Sequence, residues 1–212
     1  MNQRKQTKRI LRAAAIALLV LVMGLCLVGC AETGTQAPTA AKPVPAEGQD
    51  AYLTDPVPEG KPLPVEPQDA VQSGEGGVCT LSISCAALLD NMERLNPEKT
   101  ELVPEDGWIL PPEQVEFQAG ESVFDLLQRI CRERKIHLEF QFTPIYNSAY
   151  IEGLHNLYEF DCGELSGWMY SVNDWFPNYG CSRYQLHDGD TVCWVYTCDL
   201  GADVGGSNAL GG

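Results

Sequence analysis

Basic residues are scarce in this sequence: fourteen Lys and Arg stand against twenty-nine Asp and Glu over 212 residues. So strong an acidic balance repels phosphate backbones and anionic lipid surfaces, which argues against nucleic acid as a partner. Histidine is rarer still, with three copies set far apart. No Cys-x-x-Cys pair occurs either, so the usual zinc spacings are missing. There is no Gly-x-Ser-x-Gly elbow, no His-Glu-x-x-His and no phosphate-binding glycine loop. Cys181, His187 and Asp188 are neighbours in sequence, but a catalytic triad is recognised by geometry rather than by proximity along the chain. Asp188 and Asp190 could ligate calcium, yet the EF-hand spacing is absent and a turn accounts for both. These absences predict a protein that is not an enzyme, needs no cofactor and holds no metal.

No apolar run reaches the twenty or so residues of a permanent membrane span. The longest, Ala13 to Val28, follows Arg4, Lys5, Lys8, Arg9 and Arg12. A basic stretch before a short apolar one reads as a secretory signal. It ends in Leu27-Val28-Gly29-Cys30, which resembles the lipobox of bacterial lipoproteins, where the cysteine is acylated and becomes the new N-terminus. Residues 1–29 are therefore expected to be a lipoprotein signal peptide and Cys30 the lipidation site; an uncleaved anchor is the alternative. Cleavage would remove five of the fourteen basic residues and no acid, leaving 9 − 29 = −20. The expected location is the outer face of the bacterial cell membrane, with the membrane itself a partner through the lipid.

Residues 31–77 hold eight prolines and six glycines and almost no aliphatic clustering. A segment of that composition buries too little apolar surface to offset its ordering entropy. Residues 30–77 are thus expected to be a disordered Pro/Gly-rich tether, residues 78–200 one folded domain, and residues 201–212 a flexible glycine-rich tail. Beyond Cys26 and Cys30, seven cysteines remain. For an exported domain they suggest three disulfides and one free thiol, with the pairing left open. Cys79, Cys85, Cys131, Cys162, Cys181 and Cys198 are the disulfide candidates. Cys193 is the expected free thiol, because it lies in mid-strand in a run expected to be buried, where a free cysteine behaves as a small inert hydrophobe.

Within the domain, Cys79 to Cys85 alternates apolar and small polar residues, as a half-buried strand does. Ala86 to Leu95 reads as a short helix, and Trp108-Ile109-Leu110 as a strand stopped by Pro111-Pro112. Gly120-Glu121-Ser122 leads into the clearest helix, with Ser122 and Asp125 placed for a capping box. Val123, Leu126, Leu127, Ile130 and Cys131 form its apolar stripe. Ile136 to Phe142 alternates as a strand with His137 on the polar face, and Thr143 to Gly153 reads as irregular. Gly167 to Val172 and Thr191 to Thr197 complete the strands. Together they predict an α+β fold: a small β-grasp-like domain in which a mixed sheet packs on one main helix, stapled by disulfides.

Three stretches carry a family resemblance: Glu121 to Leu127, Gly167-Trp168-Met169-Tyr170-Ser171-Val172-Asn173, and Leu186 to Tyr196. In that order they resemble bacterial surface domains similar to the C-terminal β-rich domain of transcobalamin and intrinsic factor. The resemblance implies a ligand-binding module for a corrinoid or another planar small molecule. In the animal carriers a helical barrel supplies the opposite wall of the site, and this chain has none, so a partner would have to supply it. Trp168, Tyr170, Asn173, Trp175 and Tyr179 are the candidate ligand contacts. For Trp168 and Tyr170 a place in the core is the competing reading. Trp175 and Tyr179 belong to a loop over residues 173–181, bounded by turn residues at each end, and loops carry function more often than the elements they join. That loop supports the alternative function, a non-enzymatic protein-interaction or adhesion module.

Overall fold

A computed structural model describes residues 46–206; the signal and lipidation readings at residues 1–30 lie outside them. The strands are β1 (Gly77–Ser84), β2 (Trp108–Phe117), β3 (Leu138–Thr143), β4 (Ser148–Leu154), β5 (Leu157–Tyr158), β6 (Gly167–Val172) and β7 (Thr191–Thr197). Among the described residues there is one α-helix, α1 (Val123–Arg134), between β2 and β3. One sheet runs β2-β1-β7-β6 and the other β3-β4-β5. The first is mixed, because β1 and β7 are parallel while their outer neighbours are antiparallel.

The α+β expectation, with its mixed sheet packed on one main helix, is corrected: the domain is mostly β, seven strands in two sheets, with one helix of twelve residues. The stretch that read as irregular, Thr143 to Gly153, holds all but the last residue of β4, and β4 builds a second sheet where one sheet on the helix was expected. Two side chains tie the sheets together. Trp168 Nε1 on β6 donates to the Leu157 carbonyl at 2.8 Å, and Tyr196 Oη on β7 donates to the Tyr158 carbonyl at 2.6 Å. Both acceptors are on β5, which explains why a two-residue strand keeps its place.

Other expectations meet local physics directly. The capping box forms: Asp125 N donates to Ser122 Oγ at 3.1 Å and Ser122 N to Asp125 Oδ2 at 3.0 Å. The apolar stripe of α1 is buried throughout, and Lys135 ends the helix in a left-handed conformation. Pro111-Pro112 does not stop β2. That strand is an edge, and its pairing with β1 shifts register between Leu81 and Ile83, opposite the prolines. An edge strand with an irregularity is where residues without an N–H can sit.

The disulfide staples are corrected as well. Cys79, Cys85, Cys131, Cys162, Cys181, Cys193 and Cys198 are all free thiols, and all but Cys193 are buried. Burial pushes the Cys79 and Cys85 thiols up to about 11, and those of Cys131 and Cys181 up to about 12. The thiolate is the reactive form, so these groups are inert at neutral pH. Alkylation mapped by mass spectrometry should therefore reach Cys193 first and the other six only in denaturant. Native modification of Cys85 or Cys131, or a cross-linked peptide, would contradict this.

At its N-terminal side the folded body begins before residue 78. Residues 50–66, placed in the tether by composition, lie along the domain as a strap. Asp50 and Glu66 meet Arg183, and Val65 N donates to the Arg183 carbonyl at 2.9 Å. At the other end, Asp203 accepts from Cys198 N at 2.7 Å and from the Thr197 hydroxyl, which fixes the start of the tail.

Candidate functional site

Trp168 and Tyr170 point to the same face of β6, as period-two alternation requires. Both are core residues, 9% and 8% exposed. Trp168 meets Tyr196 edge-on, with ring centroids 5.2 Å apart. Tyr170 Oη donates to the Tyr179 carbonyl at 2.7 Å, and burial drives its hydroxyl well above the usual tyrosine range. Asn173 sits in a left-handed turn conformation, φ 52°. Its Nδ2 donates to Asp190 Oδ1 at 2.8 Å, and its Oδ1 accepts from Thr191 N at 2.9 Å. It therefore clasps the end of β6 to the start of β7, and with Trp175 it lines a separate space beside Lys61 and His187. Trp175 is half-buried and meets the buried Tyr179 edge-on at 5.9 Å; Tyr179 in turn stacks on Tyr184 at 6.3 Å.

Two of these five residues, Tyr170 and Tyr179, line a cavity of about 320 Å³ between the strap, the β3–β4 hairpin and β6. Tyr52, Tyr146, Tyr150, Ala149 and Met169 complete its mostly apolar wall, and Arg183 closes one side. Tyr150 Oη is held by the Glu159 carboxylate. Tyr146 and Tyr150 remain 53% and 49% exposed, so they form the mouth. Tyr52, Tyr146, Tyr150 and Arg183 carried no legible signal in the sequence. They come from the composition-biased strap, the unrecognised hairpin and a lone cation.

Arg183 organises this region. It is 1% exposed, yet both its carboxylate partners come from the strap, Asp50 and Glu66, the latter at 2.6 Å. Its Nη1 donates to Thr54 Oγ1, and its guanidinium lies 5.2 Å over the Tyr52 ring. Burial alone would raise the Asp50 carboxyl. The hydrogen bonds from Thr54 N, Arg183 and Tyr52 N outweigh it and hold its pKa below the ordinary aspartate value. A lowered folded-state pKa contributes stability that is present above the unfolded value of about 4 and is lost as pH falls through the lowered one. Acid should therefore loosen the strap. A change in Trp175 emission below about pH 4 is expected, absent in Asp50→Asn; emission that stays flat down to about pH 2 would contradict it.

Among the described residues no three of His, Cys, Asp or Glu converge as a metal-ligand set. No curated protein matches the chain as a relative. Among solved structures, that of a candidate metal-binding protein from Ruminococcus gnavus ATCC 29149 aligns at 11% identity and a TM-score of 0.35, over 57% of this chain and 96% of its own. Likeness at that level transfers neither fold nor ligand. The family model described as a domain of unknown function (DUF4430) matches residues 120–198, the span that holds all three stretches carrying the transcobalamin-like resemblance.

Proposed function

We propose that the protein is a non-catalytic capture module for a planar small molecule, exported and anchored to the outer face of the bacterial membrane through lipid on Cys30. The observation behind this reading is the tyrosine-lined cavity at the hairpin mouth. It is concave, mostly apolar and edged by a few oriented polar groups, as small-molecule sites are. Arg183 already faces two carboxylates, so the cavity favours a neutral ligand over an anion. At about 320 Å³ it lies at the low end of the range for ligand pockets. It is too small to enclose a corrin ring; a corrinoid would lie across Tyr146 and Tyr150 with only an edge group inside. In that arrangement the strap forms one wall of the site.

Intrinsic fluorescence of the full chain, titrated separately with benzimidazole and with cyanocobalamin, tests the reading. Benzimidazole should saturate below about 1 mM, and cyanocobalamin should compete with it. Ala149→Leu, which fills the cavity, should weaken benzimidazole by about ten-fold, equivalent to about 1.4 kcal/mol. No saturable change with either probe, or equal binding by the Ala149→Leu chain, would remove the proposal.

Loop 173–181 favours a second reading, a protein-interaction or adhesion surface. Trp175 and Phe176 are half-buried and, with Asp55, Pro56, Pro58 and Lys61 of the strap, line a space of about 280 Å³.

A further inference from the structure

The strap carries two runs with proline at alternate positions, Asp55-Pro56-Val57-Pro58 and Lys61-Pro62-Leu63-Pro64. Proline fixes its own φ and biases the residue before it toward extended backbone, so each run favours polyproline geometry. Between them a tight turn closes with Lys61 N on the Pro58 carbonyl at 3.1 Å, and Gly60 takes φ +80° at the position where such turns favour glycine.

The aromatic loop meets this segment with donors aimed at its carbonyls. Asn178 Nδ2 donates to the Asp55 carbonyl at 3.1 Å, and Tyr179 Oη donates to the Pro62 carbonyl at 2.8 Å. Trp175 lies under Lys61, whose Nζ is 5.4 Å from the ring centroid. Aromatic walls with side-chain donors facing the carbonyls of an extended, donor-poor chain are how proline-rich peptides are recognised. Such a ligand is already ordered, so it loses little entropy on binding.

The resident segment is docked rather than packed. Among residues 50–66 only Thr54 is buried, Pro56 and Pro58 are exposed, and Leu63 is 72% exposed. What fixes its ends is ionic: Asp50 and Glu66 on Arg183. Apart from the contacts of Arg183, Thr54 and Val57 the segment makes few buried ones, so it can open without the core unfolding.

We propose that the groove of Trp175, Asn178 and Tyr179 is a docking site for an extended proline-rich segment of a partner polypeptide bearing a flanking carboxylate, with residues 50–66 as its resident occupant in cis. This rests on the interaction reading of loop 173–181; the groove shares Asn178, Tyr179 and Arg183 with the cavity, but its contacts to the strap need no guest there, so failure of benzimidazole to bind would leave it standing. The resident shows the partner's chemistry: alternate prolines, carbonyls free for Asn178 and Tyr179, and a carboxylate for Arg183.

The test uses the full chain with Pro56→Ala, Pro58→Ala, Pro62→Ala and Pro64→Ala, which weakens the resident without touching the domain. A labelled peptide of residues 50–66 is titrated by fluorescence anisotropy. Saturable binding below about 1 mM is expected, and about ten-fold weaker binding to the unmodified chain, where the cis segment competes at a high effective concentration. Adding Asn178→Ala should reduce binding at least five-fold, and a peptide with its prolines changed to alanine should not bind. Proteolysis gives the second readout, since residues 46–66 of the quadruple variant should be cut faster than in the unmodified chain. No peptide binding once the strap is released, a strap that stays protected without its prolines, or equal affinity for both chains would each overturn the proposal. Concentration-dependent dimers of the unmodified chain, lost in the quadruple variant, would give the groove to a second copy and overturn the proposed partner.

Discussion

Replacing Arg183 with methionine is expected to free residues 50–66 from the domain and to destabilise the chain by about 2–3 kcal/mol. Breaking a fully buried ion pair costs about 3–5 kcal/mol, because the remaining charge is left without a partner or water. Here the lone charges would be Asp50 and Glu66, whose side chains are 36% and 20% exposed and can turn to solvent, so the cost falls below that range. The loss should appear in two places. Denaturant unfolding would show the global change, and brief proteolysis would cut within residues 46–66 before any cut between residues 77 and 198. An Arg183→Met chain with the same midpoint and a protected strap would show that the ion pairs hold nothing.

Trp168→Ala carries the second large effect, about 3–5 kcal/mol, the range for deleting a buried Trp. It removes an indole packed against Tyr196 and leaves the Leu157 carbonyl without its donor. Because that carbonyl belongs to β5, the damage should spread to the second sheet, with hydrogen-exchange protection lost across Ser148–Leu154. A fall in melting temperature of roughly 10 °C is expected. Trp168 was a candidate ligand contact in the sequence, so the same variant separates the two roles. A chain of unchanged stability that had lost ligand binding would contradict its place as a cross-sheet tie.

The two cases show what periodicity could and could not reveal. Helix α1 was readable to its cap, because Ser122 and Asp125 are local partners and the stripe from Val123 to Cys131 repeats at the helical period. β6 and β7 were readable from their alternation. β4 was not: Ala149 and Ile151 are buried on one face, but Ser148 and Leu154 are buried too, so the pattern around Tyr150 is blurred. Missing that strand hid the second sheet and made the helix look like the only cover for the first. The cysteine count suggested staples, yet a thiol also serves as a small core hydrophobe, and Cys79, Cys85 and Cys131 are buried that way.

The candidate site divides along the same line. Tyr170 and Tyr179 were found because aromatic density is visible in sequence. Their partners Tyr52 and Arg183 are 131 residues apart (183 − 52), the first in a segment that read as tether and the second in a stretch without periodicity. Prolines at alternate positions suggested an extended segment over residues 55–64, and a tight turn at Gly60 divides it in two. What composition could not show is that an extended segment needs no core of its own when Asn178, Tyr179 and Arg183 offer it partners.

The most direct measurement is a methyl NMR titration of the full chain with benzimidazole. If the space between the strap and the hairpin holds a flat guest, the methyls of Ala149 and Met169 shift together and saturate, while those of Leu126 and Leu127 in the core stay still. Unmoved Ala149 and Met169 at saturating probe, or shifts centred anywhere else, would contradict the account.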